Sequence, residues 1–141
     1  MSTLPDNLLD GWTFVIAEDE PDSFTVASFI LEFFGAKVHG ASDGKQALET
    51  IRSMKPDVVI SDLSMPVMDG WELIHRLRMD AATRELPVIA LTAHAMKGDR
   101  ERAMAVGFTN YLTKPLTADT FIGQLVNLLL DIPLLNERLH F

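Results

Sequence analysis

The chain has 141 residues, a formal net charge of −8 and no cysteine. That length fits one domain with a genuine core, and the composition is that of a globular chain, not a disordered one. The charge argues against nucleic acid or an anionic membrane surface as a direct partner, and the missing thiols exclude a disulfide scaffold or a thiolate site.

No apolar run reaches bilayer-spanning length, and Met1-Ser2-Thr3-Leu4-Pro5 lacks the basic start of a secretory signal. A cytoplasmic location is therefore expected. Residues 1–12 form an N-terminal extension in which Leu8, Leu9 and Trp12 are enough to dock on the body. From Thr13 onward, short β-branched runs alternate with longer amphipathic ones. A strand is expected at 13–17, then a helix with Phe24, Ala27, Leu31 and Phe34 on one face, ended by Gly35. A second strand, 36–40, precedes a helix started by Asp43 and carrying Ala47, Leu48, Ile51 and Met54. Pro56 and Pro87 interrupt the chain before strands 57–61 and 87–91, whose continuous apolar runs suit strands covered on both faces. Leu73, Ile74 and Leu77 mark the third helix. A more polar fourth covers about 96–106, strand 109–112 follows, and Asp119 is placed to cap a fifth helix with Phe121, Leu125, Leu128 and Leu129. Five βα units without a break predict one doubly wound α/β domain over 13–131. The tail, 132–141, contains Ile132, Leu134, Leu135, Leu139 and Phe141. It is read either as a terminal turn folded onto its own domain or as a small contact surface for a partner or a second copy.

Chemistry is concentrated at the strand ends. Glu18-Asp19 closes the first strand, Asp62 the third, Thr92 the fourth and Lys114 the fifth. In a parallel sheet such ends meet in one crevice. Clustered carboxylates repel and resist full ionisation, and a hard cation relieves them. Asp19 and Asp62 are the preferred direct ligands of Mg²⁺, Glu18 binds through water, and Glu20 is expected to point elsewhere while Pro21 opens the helix. Asp62 is also the best nucleophile, because a carboxylate can attack phosphorus to give an aspartyl phosphate. Lys114 would compensate charge and Thr92 would donate to a phosphoryl oxygen. The plainer alternatives are a helix cap for Thr92 and a core aromatic for Tyr111. His39, His75, His94 and His140 show no metal-ligand spacing, although His94 borders Thr92 closely enough to affect water access.

Four stretches resemble receiver domains, the phosphoacceptor modules of two-component response regulators: Ile16-Ala17-Glu18-Asp19, Ser61 to Gly70, Ala90-Leu91-Thr92-Ala93 and Tyr111-Leu112-Thr113-Lys114-Pro115. Thr92 to Met96 with Gly98-Asp99 further resembles single-domain regulators and the receivers of hybrid histidine kinases. The resemblance implies a flavodoxin-like parallel sheet of order 2-1-3-4-5. It makes Asp62 the phosphorylated residue, Glu18 and Asp19 the acidic pair for Mg²⁺, and the Ser64 carbonyl a further metal ligand. Thr92 becomes the switch hydroxyl, Tyr111 the switch aromatic, Lys114 the family lysine and Lys114-Pro115 a cis bond. Met65, Pro66 and Met68 would shape the turn after Asp62, and Trp71 would be packing or an exposed contact.

By the same resemblance the donor is a phosphohistidine on a sensor histidine kinase or a histidine phosphotransfer protein. Water later resets the site, so the chain is a phosphorelay protein with autodephosphorylation more than a turnover enzyme. Output would pass through Thr92 and Tyr111 to a face including Ala103 and Val106. No effector or DNA-binding domain follows the fifth helix, which favours a stand-alone regulator acting on a downstream protein target, with a homodimer as one outcome. An isolated receiver of a hybrid kinase and a non-phosphorylated binding module are the alternatives. A haloacid-dehalogenase-like phosphatase needs a second acid two positions after its nucleophile, where this chain has Ser64.

Overall fold

A computed structural model describes residues 4–93 and 97–139. His94, His140 and Phe141 lie outside the described residues. Strand β3 (Val58–Asp62) is buried at all positions and occupies the centre of the sheet. On one side lie β1 (Thr13–Ala17) and then β2 (Lys37–Ala41). On the other lie β4 (Val88–Thr92) and then β5 (Asn110–Thr113). All pairings are parallel and the order is β2-β1-β3-β4-β5, the flavodoxin-like arrangement expected above. The connecting helices are α1 (Pro21–Phe33), α2 (Gly44–Met54), α3 (Gly70–Met79) and α4 (Lys97–Val106), followed by α5 (Phe121–Leu130) and a short α6 (Pro133–Asn136). Among the described residues no helix is long and apolar enough to cross a membrane.

Successive strand side chains point to opposite faces, so the sheet feeds two cores. Phe14, Ile16, Ile60 and Leu91 pack with Ala27, Ile30 and Leu31 of α1 and Leu125 and Leu129 of α5. Val15, Val59 and Ala90 pack with Leu48 and Ile51 of α2 and Leu73 and Leu77 of α3. Helix ends follow their local chemistry. The Asp43 carboxylate accepts the Gln46 amide at 2.8 Å, and Asp69 likewise accepts Glu72 at 2.9 Å. Each such cap is worth about 1 kcal/mol. Gly35, with φ of +100°, lets the chain leave α1 in a left-handed turn.

Several expectations are corrected. The last four strands run one residue further than expected, because ladder pairing continues to Ala41, Asp62, Thr92 and Thr113. Asp62 and Thr92 therefore belong to the strands themselves. Asp119 does not cap α5. A turn leads into that helix instead, with the Thr117 carbonyl accepting the amides of Thr120 and Phe121. Met54 ends α2, one residue before left-handed Lys55, and stays exposed. Ala103 is fully buried in the second core and cannot be part of a contact face.

The N-terminal segment and the tail fold onto each other. Leu8, Leu9 and Trp12 share a core with Leu135 and Leu139. The Trp12 indole N–H donates to the Arg138 carbonyl at 3.3 Å, and the Arg138 guanidinium lies 4.8 Å from the Trp12 ring centre. Arg138 also pairs with Asp57 at 2.7 Å, and the other Asp57 oxygen accepts the Thr13 amide at 2.7 Å. The clasp thus grips the N-terminal ends of β1 and β3, opposite Asp62.

Candidate functional site

Pairing of β1, β3, β4 and β5 in one parallel register brings their C-terminal ends together. They floor a cleft of about 540 Å³ lined by Asp62, Ser64, Thr92 and Lys114, with Asp19 and Glu20 on the α1 side. Lys114 follows β5, donates its amide to the Thr92 carbonyl at 2.7 Å and precedes a cis peptide bond to Pro115. Its ammonium stands 2.8 Å from Asp62 Oδ2 and 2.7 Å from Glu18 Oε1, and also contacts Glu20 Oε1. Asp62 Oδ1 accepts the Ser64 amide at 3.2 Å.

Glu18 is the unusual acid. Its side chain is entirely buried, its Oε2 accepts the Glu20 amide at 3.3 Å, and its Oε1 is paired with the Lys114 ammonium at 2.7 Å. Burial, reinforced by the neighbouring Asp62, raises its pKa from 4.5 to about 7. Burial alone would lower the Lys114 pKa, but hydrogen bonds to Asp62, Glu18 and Glu20 outweigh it and hold that pKa above the ordinary lysine value. One carboxylate oxygen each from Glu18, Glu20 and Asp62 lie within 4.8 Å of one another. An all-oxygen donor set that includes a buried carboxylate whose burial disfavours its charge fits a small hard divalent cation such as Mg²⁺.

Glu20 corrects the sequence reading. It was expected to point away, but its exposed carboxylate turns back onto Lys114, whose ammonium attracts it. Asp19 lines the cleft without belonging to that tight group of acids. Thr92 is buried at the end of β4. Tyr111 on β5 is half-buried against the second core, and burial together with the Asp99 charge raises its pKa. Ser64 is exposed on the cleft wall. Trp71 and Arg102 also line the cleft, and Arg102 carries no sequence signal that singles it out.

A family profile described as the response regulator receiver domain matches residues 14–126. The chain belongs to the receiver domain family. It is a phosphoacceptor module of two-component signalling with an acidic cluster at Glu18, Glu20 and Asp62. This receiver is 43% identical over 102 residues to an uncharacterised 14.6 kDa protein of Leptolyngbya boryana, covering 72% of this chain and 78% of that one. It is 37% identical over 126 residues to the sensor protein EvgS of Escherichia coli K12, covering 87% of this chain but only 10% of the sensor. The receiver domain of a sensor histidine kinase from Pseudomonas aeruginosa PAO1, solved with a magnesium ion in its active-site cleft, superposes with a TM-score of 0.74 at 32% identity. That match covers 83% of this chain and 96% of the solved one.

Proposed function

We propose that the chain is a stand-alone response regulator. Asp62 accepts a phosphoryl group from a phosphohistidine on a sensor histidine kinase or a histidine phosphotransfer protein. The observation that carries this reading is Lys114 Nζ at 2.8 Å from Asp62 Oδ2 at the floor of an open cleft. A carboxylate so placed is accessible as a nucleophile, and its positive neighbour is pre-positioned for transferring charge. In the transfer, an Asp62 oxygen bonds to phosphorus as the N–P bond of the donor breaks, and the electron pair returns to the imidazole. Glu18, Asp19, Asp62 and the Ser64 carbonyl would hold Mg²⁺, with Glu20 near enough to join them. Bound there, Mg²⁺ would neutralise charge on the phosphoryl oxygens.

Thr92 and Tyr111 form the switch in this reading. Thr92, at the end of the strand next to Asp62, would donate to a phosphoryl oxygen. Its movement would change the space open to Tyr111 two strands from β3 and so alter a protein-binding face including exposed Val106. A downstream protein is the proposed target, either as a heterologous partner or through a homodimer. The match to a short stretch of a sensor protein keeps a hybrid-kinase receiver as the second reading.

Incubation with a small acyl-phosphate donor and Mg²⁺, read by intact mass, tests the core of this function. One added phosphoryl group is expected in the wild type and none in Asp62→Asn. An unlabelled wild type, beside a labelled control receiver, would overturn it.

A further inference from the structure

Gly70 opens α3 directly against the backbone of Asp62, where a side chain would collide with the Asp62 carbonyl oxygen. That close approach delivers the next residue, Trp71, to the cleft wall. Trp71 packs edge-on against buried Phe108, with ring centres 6.0 Å apart and planes at 81°. The Arg102 guanidinium of α4 lies 4.1 Å from the Trp71 ring centre and lines the same cleft. Among the described residues Arg102 has no carboxylate within ion-pair distance, although Asp99 shares the cleft wall. The cation is therefore parked on an aromatic face, where it keeps its capacity for an anion. Asp62 is 6% exposed and lies at the floor, while Arg102 is exposed at the rim.

We propose that Arg102, positioned by Trp71, sets the lifetime of phosphorylated Asp62. This rests on the phosphoacceptor reading above and adds to it a determinant of the reset rate. In hydrolysis, a water oxygen bonds to phosphorus while the P–O bond to Asp62 breaks. The bonding pair returns to the carboxylate, and the water's protons leave with inorganic phosphate and solvent. The attacking water must arrive in line, opposite the departing Asp62 oxygen, and therefore from the mouth of the cleft. The stacked pair occupies one side of that mouth. Its guanidinium matches the outer phosphoryl oxygens in geometry and charge, and a guanidinium engaged there obstructs the water. Trp71 is a positioning residue, since it acts by holding Arg102.

The test loads wild type, Arg102→Ala, Arg102→Lys, Trp71→Leu and Trp71→Phe with a small acyl-phosphate donor and Mg²⁺, removes the donor, and follows loss of the added mass. Thermal melts check that each variant is folded. Arg102→Ala and Trp71→Leu should lose phosphate about two- to fivefold faster than wild type. Arg102→Lys and Trp71→Phe, which keep a cation over a ring, should recover part of the lifetime. A purely structural role would not yield this recovery with unchanged melting. Wild-type lifetimes in Arg102→Ala, or slower loss, would overturn the proposal, and Arg102 alone can decide it if Trp71→Leu fails to fold. A wild type that takes no phosphoryl group at all would instead strike the underlying phosphoacceptor reading.

Discussion

Glu18 Oε1 lies 2.7 Å from Lys114 Nζ, an ammonium that it shares with Asp62 and Glu20. Burial outweighs that attraction for the acid, and the imbalance has a measurable pH signature. Its folded pKa of about 7 exceeds the ordinary 4.5, so folding favours the protonated form. Below pH 4.5 both folded and unfolded chains carry the proton and stability is undiminished. Between pH 4.5 and about 7 the unfolded chain ionises while the folded one resists, so stability falls, levelling off above about 7. In chelator, melting temperature should drop by several degrees over that range. Saturating Mg²⁺ should remove the drop. So should Glu18→Gln, which is also expected to abolish the Mg²⁺ effect.

Lys114→Met removes the cation that three carboxylates share. At pH 8, urea unfolding should show a loss of about 3 kcal/mol, since each remaining acid would be buried or crowded without compensation. The loss should shrink at pH 5, where Glu18 takes up a proton. Lys114→Arg should restore part of the stability but not phosphoryl uptake, because a planar fork cannot stand where a compact ammonium reaches both Glu18 and Asp62.

Val67 has φ of +67° and is 78% exposed. It is a β-branched residue held in the left-handed region, inside a tight turn closed by the Met68 amide on the Pro66 carbonyl at 2.7 Å. Val67→Gly relieves that strain and buries nothing less. A net gain of about 0.5–1 kcal/mol is expected after the entropic cost of glycine, seen as a melting temperature a few degrees higher. An unchanged or lower midpoint would show that the turn is not strained.

The Arg138–Asp57 pair is short, at 2.7 Å, but partly exposed on both sides. A double-mutant cycle with Arg138→Gln and Asp57→Asn should give a coupling below about 1 kcal/mol. Trp12→Ala should cost about 3–5 kcal/mol, because it empties a fully buried site shared by both chain ends. Denaturant midpoints distinguish the two magnitudes.

Periodicity alone located the strands to within a residue and the helices closely, because burial on both faces of a parallel sheet writes unbroken apolar runs such as Val58 to Ile60. Strand-end chemistry was legible for the same reason. Asp62, Thr92 and Lys114 stand where such runs stop, and the fold brings them into one cleft. Glu20 departs from the sequence expectation because its direction depends on a lysine 94 positions away. Asp119 is not the cap because a turn begun at Thr117 carries the chain into α5, its carbonyl accepting the Thr120 and Phe121 amides. In the sequence Trp71 reads equally as packing or as an exposed contact, and nothing singles out Arg102. Their stacking comes from the packing of α3 beside α4, which one-dimensional spacing does not record.

Trp12 and Arg138 meet at the end of the sheet where β1 and β3 begin, whereas Asp62 lies where β3 ends, about 16 Å along a five-residue strand. A short linker joining the N-terminal segment to the tail would tie residues 4–139 into a ring without crossing the acidic mouth. New termini could then be opened elsewhere, which makes this fold suited to circular permutation and to reporter insertion with phosphoryl chemistry intact.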